Sequence, residues 1–422
     1  MTSSSPTETS LRWAPWWVLA FVALWPVHGP AEVVLSLGAL AALAVLALSR
    51  FRGGMTLLSH EAWALTSVLF CAYWIPELVS SIDAVDAGRA LRESLVDLRY
   101  LPFLWLVAMA VADERGRRLT FGGIAVIATL WLVDGLVQAA TGWSVGGPAT
   151  ADRLSGVFGA ENLKLGLVLA SLAPFPLAAA SQRFGVVGWL LMAAALVVVV
   201  LLAGARASWL TLGLVLVFSG WRQLGSKRAM LVLGLGGALL FALSMTFSDK
   251  LQERVERTEA ALNGGTEGLD HALSGRLPIW QAAWNMAVAH PVNGIGVRGF
   301  RQAYPEYAVE GDPWLQDAEH GAGYHAHQIV LEVLSETGSI GLLLWLGGVA
   351  LAWRAWRFAT PAARARAAVP ALALGVTVFP LNTHLAFYST FWGGLTLLLA
   401  ALYSGSLLAR PGDADDADPG AR

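Results

Sequence analysis

The chain reads as an all-α polytopic integral membrane protein with about 12 transmembrane helices and a large external loop between helices 9 and 10. Three observations carry that reading. Of the 422 residues, 56% are hydrophobic and only 14% are charged, too apolar for a soluble protein of this length. Apolar runs of roughly 20 residues, the length that crosses a bilayer, recur along most of the chain. Basic residues cluster after every second run, the pattern that orients multi-pass proteins.

Taken in order, the runs are 13–28, 31–49, 62–80, 99–112, 120–140, 164–181, 185–203, 208–221, 230–247, 328–352, 368–384 and 389–408. Arg50 and Arg52 follow the second, Arg115, Arg117 and Arg118 the fourth, and Arg183 the sixth. Arg222, Lys227 and Arg228 follow the eighth, Arg354, Arg357, Arg364 and Arg366 the tenth, and Arg410 the twelfth. Short basic loops stay in the cytoplasm, so both termini are expected inside. The chain then divides into residues 1–247 with helices 1–9, 248–326 as an external loop with helical segments, 327–408 with helices 10–12, and 409–422 as a disordered acidic cytoplasmic tail. The net charge of −2 argues against a basic nucleic-acid binder, and a single cysteine, Cys71, excludes an intrachain disulfide. The N-terminus has no basic region ahead of its first apolar run, so that run is expected to stay in the membrane.

The long stretch between the ninth and tenth runs is too polar to span and too long for a passive connector. Within it DKLQERVERTEAAL has a charged face, and RLPIWQAAWNMAVAH puts Trp280, Trp284 and Val288 on one stripe. PVNGIG is a turn signal.

Where that loop meets the tenth run stand His325 and His327. The bland reading is a helix-start histidine bonded to backbone. A pair points further, as do Glu332 and Glu336 on a helix entering lipid, where acids are costly. Gly338 and Gly341 allow close helix packing. On a helix the two rings would point apart by about 200°, so one is read as the catalytic group and the other as its support. A metal is the competitor: His320, His325 and His327 with Glu319 offer nitrogen and oxygen ligands. The sequence holds no HExxH and no paired CxxC, and no metal is expected.

Arginines also lie where the orientation rule would not place them. Arg206 sits at the outer end of the seventh run and Arg276 at the start of a loop helix. Arg89, Arg92 and Arg99 fall within about 80° of one another on a helix, one basic face. Snorkelling, solvation and anchoring to phospholipid headgroups are the plain alternatives. Taken together, the arginines suit bidentate grip on the phosphate of an anionic, lipid-linked ligand.

These residues resemble a known family. RASWL, Arg206 to Leu210, is similar to the Arg-x-x-x-Leu pattern of the bacterial O-antigen ligases. HQIVLEVLSETGSIG, His327 to Gly341, is similar to their His-(Asn, Ser or Gln), nine residues, Gly-x-x-Gly. Between the two, SGRLPIWQAAWNMAVAHPVNGIGVRGFRQAYPEY resembles the core of the family's external loop, and RLSGVFGAENLKLG is familiar upstream. The wider group prefers His-Asn where this chain has His-Gln, a form that the ligases allow. The resemblance implies a metal-independent, cofactor-free glycosyltransferase in the bacterial inner membrane. It would move O-antigen from undecaprenyl pyrophosphate to a sugar hydroxyl of lipid A-core at the periplasmic face, with membrane lipids around it and no nucleic acid. His327, with His325, would then be catalytic, His327 as base and attack inverting the anomeric carbon. Arg206 and Arg276, with Arg89, Arg92 and Arg99, would bind the donor pyrophosphate. An O-antigen polymerase would share fold and arginines and differ in acceptor. A protein O-oligosaccharyltransferase would usually carry a further external C-terminal domain. A lipid-glycan transporter would hold its charges at mid-depth.

Overall fold

Lipid offers no partner to a backbone N–H or C=O, so the apolar runs must satisfy their own, and they do so as helices. The computed structural model describes residues 11–51, 57–149, 153–160, 162–225, 231, 234, 275–316, 325–382 and 386–409. Its helices are α1 (Ala14–Ala23), α2 (Pro30–Phe51), α3 (His60–Ser80), α4 (Ala87–Asp97), α5 (Tyr100–Ala110), α6 (Glu114–Thr141), α7 (Leu165–Leu172), α8 (Pro174–Leu202) and α9 (Arg206–Leu224). After the loop come α10 (Leu277–Ala289), α11 (Phe300–Tyr307), α12 (Pro313–Gln316), α13 (Ile329–Phe358), α14 (Pro361–Thr377) and α15 (Thr390–Leu407). The strands, Trp143–Ser144 and Gly147–Pro148, form a small antiparallel hairpin.

Among the described residues six helices are long and apolar enough to cross a membrane: α2, α3, α6, α8, α13 and α15. Helix covers the other expected segments in shorter pieces, except 230–247, which lies outside the described residues apart from Leu231 and Gly234. Asp249–Leu262 and the acidic tail lie outside them too. α15 is the central post: 89% of its window is buried, against half or less for the other spans. It packs on α3, α5 and α14, while α13 packs on α3 and α6 on α8. α4 is amphipathic in reverse. It buries Ala90, Ser94 and Asp97 and exposes Leu91, Leu95 and Leu98, as suits a helix lying at the lipid interface.

The stripe of α10 also faces outward. Trp284 and Val288 are more than half exposed, whereas Ile279, Ala282, Ala283 and Met286 are buried. Large aromatics are expected on the outside at a membrane–water boundary. The true core of the loop joins that buried face to Ile295, Phe300, Tyr304 and Ala326.

Two spans are broken by a left-handed glycine, α8 at Gly185 (φ 62°) and α13 at Gly338 (φ 64°). Gly341 behaves as the sequence suggests: a Cβ there would lie 3.4 Å from Pro76 of α3. Gly338 does something else. The carbonyls of Ser335 and Glu336 accept from the N–H groups of Ile295 and Gly296 at 3.0 Å each. Beyond the break, Ser339 and Ile340 donate to Pro291 (2.9 Å) and Val292 (3.1 Å). The PVNGIG turn therefore plugs the gap in the helix and satisfies its freed groups. A Cβ at Gly338 would strike the Val292 carbonyl, and one at Gly294 the backbone of Glu336 and Thr337. Gly338→Ala is expected to release this joint, costing about 1–3 kcal/mol for the left-handed backbone and the clash. It should lower the melting temperature in detergent and speed proteolysis of the loop. Gly347→Ala, with nothing near its Cβ position, should be neutral or slightly stabilising, since alanine favours helix by about 1 kcal/mol.

Candidate functional site

Three segments bring arginines together. Arg206 opens α9 after a turn made by Gly204 (φ 76°), and Trp209 fixes that turn by donating its indole N–H to the Val200 carbonyl at 3.2 Å. Arg276 caps α10 after Gly275 (φ 70°), whose carbonyl accepts from the Trp314 indole at 2.5 Å and whose open face lies against that ring. Trp314 is in turn held by Asp312, which also accepts from the Tyr304 hydroxyl at 2.7 Å. The third is Arg153, which the sequence reading passed over. Its neighbour Leu154 donates to the Leu202 carbonyl at the end of α8. Gln138, 1% exposed on α6, accepts from the N–H groups of Ser155 (2.9 Å) and Gly156 (2.8 Å) and so fixes the turn beside it. Burial, then the charges of Arg206 and Arg153, hold the Arg276 guanidinium below the ordinary arginine range. Guanidinium forks match phosphate oxygens in pairs.

The histidines are mounted on the same loop. Both precede α13 rather than sitting on it, so the helical angle of about 200° does not apply. His327 has a left-handed backbone (φ 51°), and the His325 and His327 rings lie with centroids 3.8 Å apart, tilted 46° to one another. Ala326 between them is fully buried in the loop core with α10. A non-glycine residue held at positive φ is strained, and such strain persists where the surroundings over-determine it. Gln328 explains the position after the motif histidine. It is the N-cap of α13, its carbonyl oxygen accepting from Leu331 N–H at 2.6 Å and its amide donating to the Pro380 carbonyl at 2.8 Å.

The remaining arginines are placed otherwise. Arg99 pairs with Glu32 at 3.0 Å and donates to Ser36 at 3.1 Å. Arg89 donates to the Gln302 side chain at 2.7 Å. Arg92 is exposed on α4, and α4 ends before Arg99, so the three do not form one helical face. The acids expected to signal function are structural partners: Glu336 accepts from the N–H of Arg298 at 2.9 Å, and Glu332 from that of Tyr388 at 3.3 Å. Arg298 was also missed from sequence. It pairs with Glu93 at 2.8 Å and donates to the Tyr388 carbonyl (3.0 Å) and to Thr390 (2.8 Å). Among the described residues no three His, Cys, Asp or Glu side chains are grouped for a metal, and Glu319 and His320 lie outside them.

Fold and site define an all-α, multi-pass membrane protein whose loop carries a histidine pair and one member of an arginine cluster. A family model described as O-antigen ligase matches residues 190–346, from the second arm of α8 through Arg206, Arg276 and His327 into α13. Over those residues the chain is similar to the O-antigen ligase/polymerase superfamily. No curated protein matches it.

Proposed function

We propose that the protein is an O-antigen ligase of the bacterial inner membrane. It moves glycan from undecaprenyl pyrophosphate to a sugar hydroxyl of lipid A-core at the periplasmic face. The observation that carries this reading is that residues 190–346, the stretch matched by the O-antigen ligase model, contain Arg206, Arg276 and His327, with the charges of Arg206 and Arg153 felt at Arg276. A glycosyl pyrophosphate already has a good leaving group. The protein must stabilise charge on the departing pyrophosphate and activate the acceptor. The guanidinium groups supply the first. Neutral imidazole at His327 supplies the second, taking the acceptor's proton as its oxygen attacks the anomeric carbon with inversion. The His325 ring, in contact with that of His327, restrains it. No nucleotide, metal or other cofactor enters this scheme. Arg89, Arg92 and Arg99 are reserve phosphate-binding residues in this reading, with Arg99 first having to leave Glu32.

The proposal includes twelve crossings, both termini in the cytoplasm, and residues 248–326 as the periplasmic loop between the ninth and tenth. Orientation is tested by single cysteines in a Cys71→Ala background with an impermeant thiol reagent on intact cells. Cysteines at Gly264 and Gly321 should label and those at Gly225 and Ala362 should not; the reverse pattern would invert the site. The reaction is tested by giving the purified protein donor and lipid A-core and following transfer of glycan to the core.

A further inference from the structure

Gln328, Glu332 and Glu336 recur every fourth residue, which puts them on one stripe of α13 starting beside His327. Two of the three are tied directly to the stretch that leads into α15, and the third reaches it through Arg298. Gln328 holds the Pro380 carbonyl and Glu332 accepts from Tyr388 N–H. Glu336 accepts from the N–H of Arg298, whose side chain returns to the Tyr388 carbonyl and to Thr390 at the start of α15. The guanidinium also pairs with Glu93 of α4. The Gln302 amide donates to the Arg298 carbonyl at 3.0 Å while accepting from Arg89. Arg298 itself stands at φ 58°; with His327 it is one of two non-glycine residues with positive φ among those described. Such a backbone costs on the order of 1–3 kcal/mol and survives only when its surroundings over-determine it. Each of its three guanidinium nitrogens has a protein partner, so Arg298 faces the scaffold rather than a ligand.

We propose that Arg298 is a positioning residue for the transfer reaction, fastening the first turns of α13 to α4 and to the start of α15 so that the His327 ring is held in register with the acceptor. This rests on the reading of His327 as the base. Displacing a catalytic group by about 1 Å costs on the order of 10²-fold in rate even when the change lies away from the chemistry. A guanidinium fork with one partner on α4 and two on the segment that enters α15 has no equivalent in lysine or glutamine.

The test compares purified Arg298→Gln, Arg298→Lys and His327→Ala in a transfer assay with purified lipid-linked glycan and lipid A-core, scaled to the folded fraction from thermal melts. For Arg298→Gln, kcat per folded molecule should fall on the order of 10²-fold while KM for the donor stays within about twofold, the signature of lost transition-state geometry. Arg298→Lys should lie between it and wild type. Unchanged kcat per folded molecule would reduce Arg298 to a structural role, and a raised donor KM at unchanged kcat would make it a binding residue; either overturns the proposal. Should Arg298→Gln fail to fold, Thr390→Val removes one acceptor of the same fork. It should lower kcat several-fold at constant donor KM, and unchanged kcat would count against the proposal. A dead His327→Ala beside a fully active Arg298→Gln removes this proposal alone, whereas an active His327→Ala removes the base reading and this proposal with it.

Discussion

His327→Ala is expected to abolish glycan transfer while the protein still inserts and accumulates. A positioned general base contributes about 10²–10⁴-fold, and nothing else in the motif can take the acceptor's proton from the same place. The side chain is not a pillar of the fold. Ala326 provides the buried contact of this turn, and Gln328 provides the helix cap. The backbone at φ 51° is already strained for histidine, so alanine adds little there. His325→Ala should be milder, because it removes the ring beside His327 and leaves the base itself. Near-normal activity in a well-expressed His327→Ala protein would take His327 out of the mechanism.

Arg206→Lys and Arg276→Lys are the second pair of large effects. Lysine keeps the charge but loses the planar fork that grips two oxygens together. If these residues only draw an anionic lipid to the surface, lysine should be nearly silent at both. If they hold the pyrophosphate as its charge develops, each replacement forfeits a charge-assisted contact worth about 1.5–3 kcal/mol. That corresponds to roughly a 10- to 150-fold loss of rate at saturating acceptor. The crowding of Arg276 by Arg206 and Arg153 makes the distinction sharper. Lysine at position 276 would face two guanidinium groups without delocalised charge of its own. Activity within about twofold of wild type for both variants would leave the clamp without support and turn attention to Arg89, Arg92 and Arg99.

Much of this was legible in the sequence, for identifiable reasons. Apolar runs announce spans because lipid leaves the backbone no alternative to a helix. Arg206, Arg276 and His327 stood out because charged or titratable groups at the outer edge of such runs demand a reason. What stayed hidden was long-range pairing. Nothing in the spacing of Arg99 indicates Glu32, and a lone arginine in GVRGF gives no sign of reaching Glu93, Tyr388 and Thr390. Arg153 was concealed in the same way, since its place beside Arg276 depends on Gln138 holding a turn shut from another helix. Gly338 was visible and misassigned. One left-handed residue leaves the apolar period of the flanking helix intact, so the sequence cannot separate a packing glycine from a break plugged by Ile295 and Gly296. The Trp284 face of α10 was legible only as a stripe: periodicity finds a face, and the surrounding medium decides whether it is core or lipid boundary.

The most direct measurement is a competition between acceptors. The purified protein, reconstituted with undecaprenyl-pyrophosphate-linked glycan, is offered lipid A-core and a second copy of the glycan-lipid together, without added metal, and the products are read by mass. The account predicts that lipid A-core gains glycan through an inverted anomeric linkage and that wild-type protein alone does so, with His327→Ala inactive. Longer lipid-linked glycan with unmodified lipid A-core would contradict it, and would make the same arginines and histidine the machinery of a polymerase.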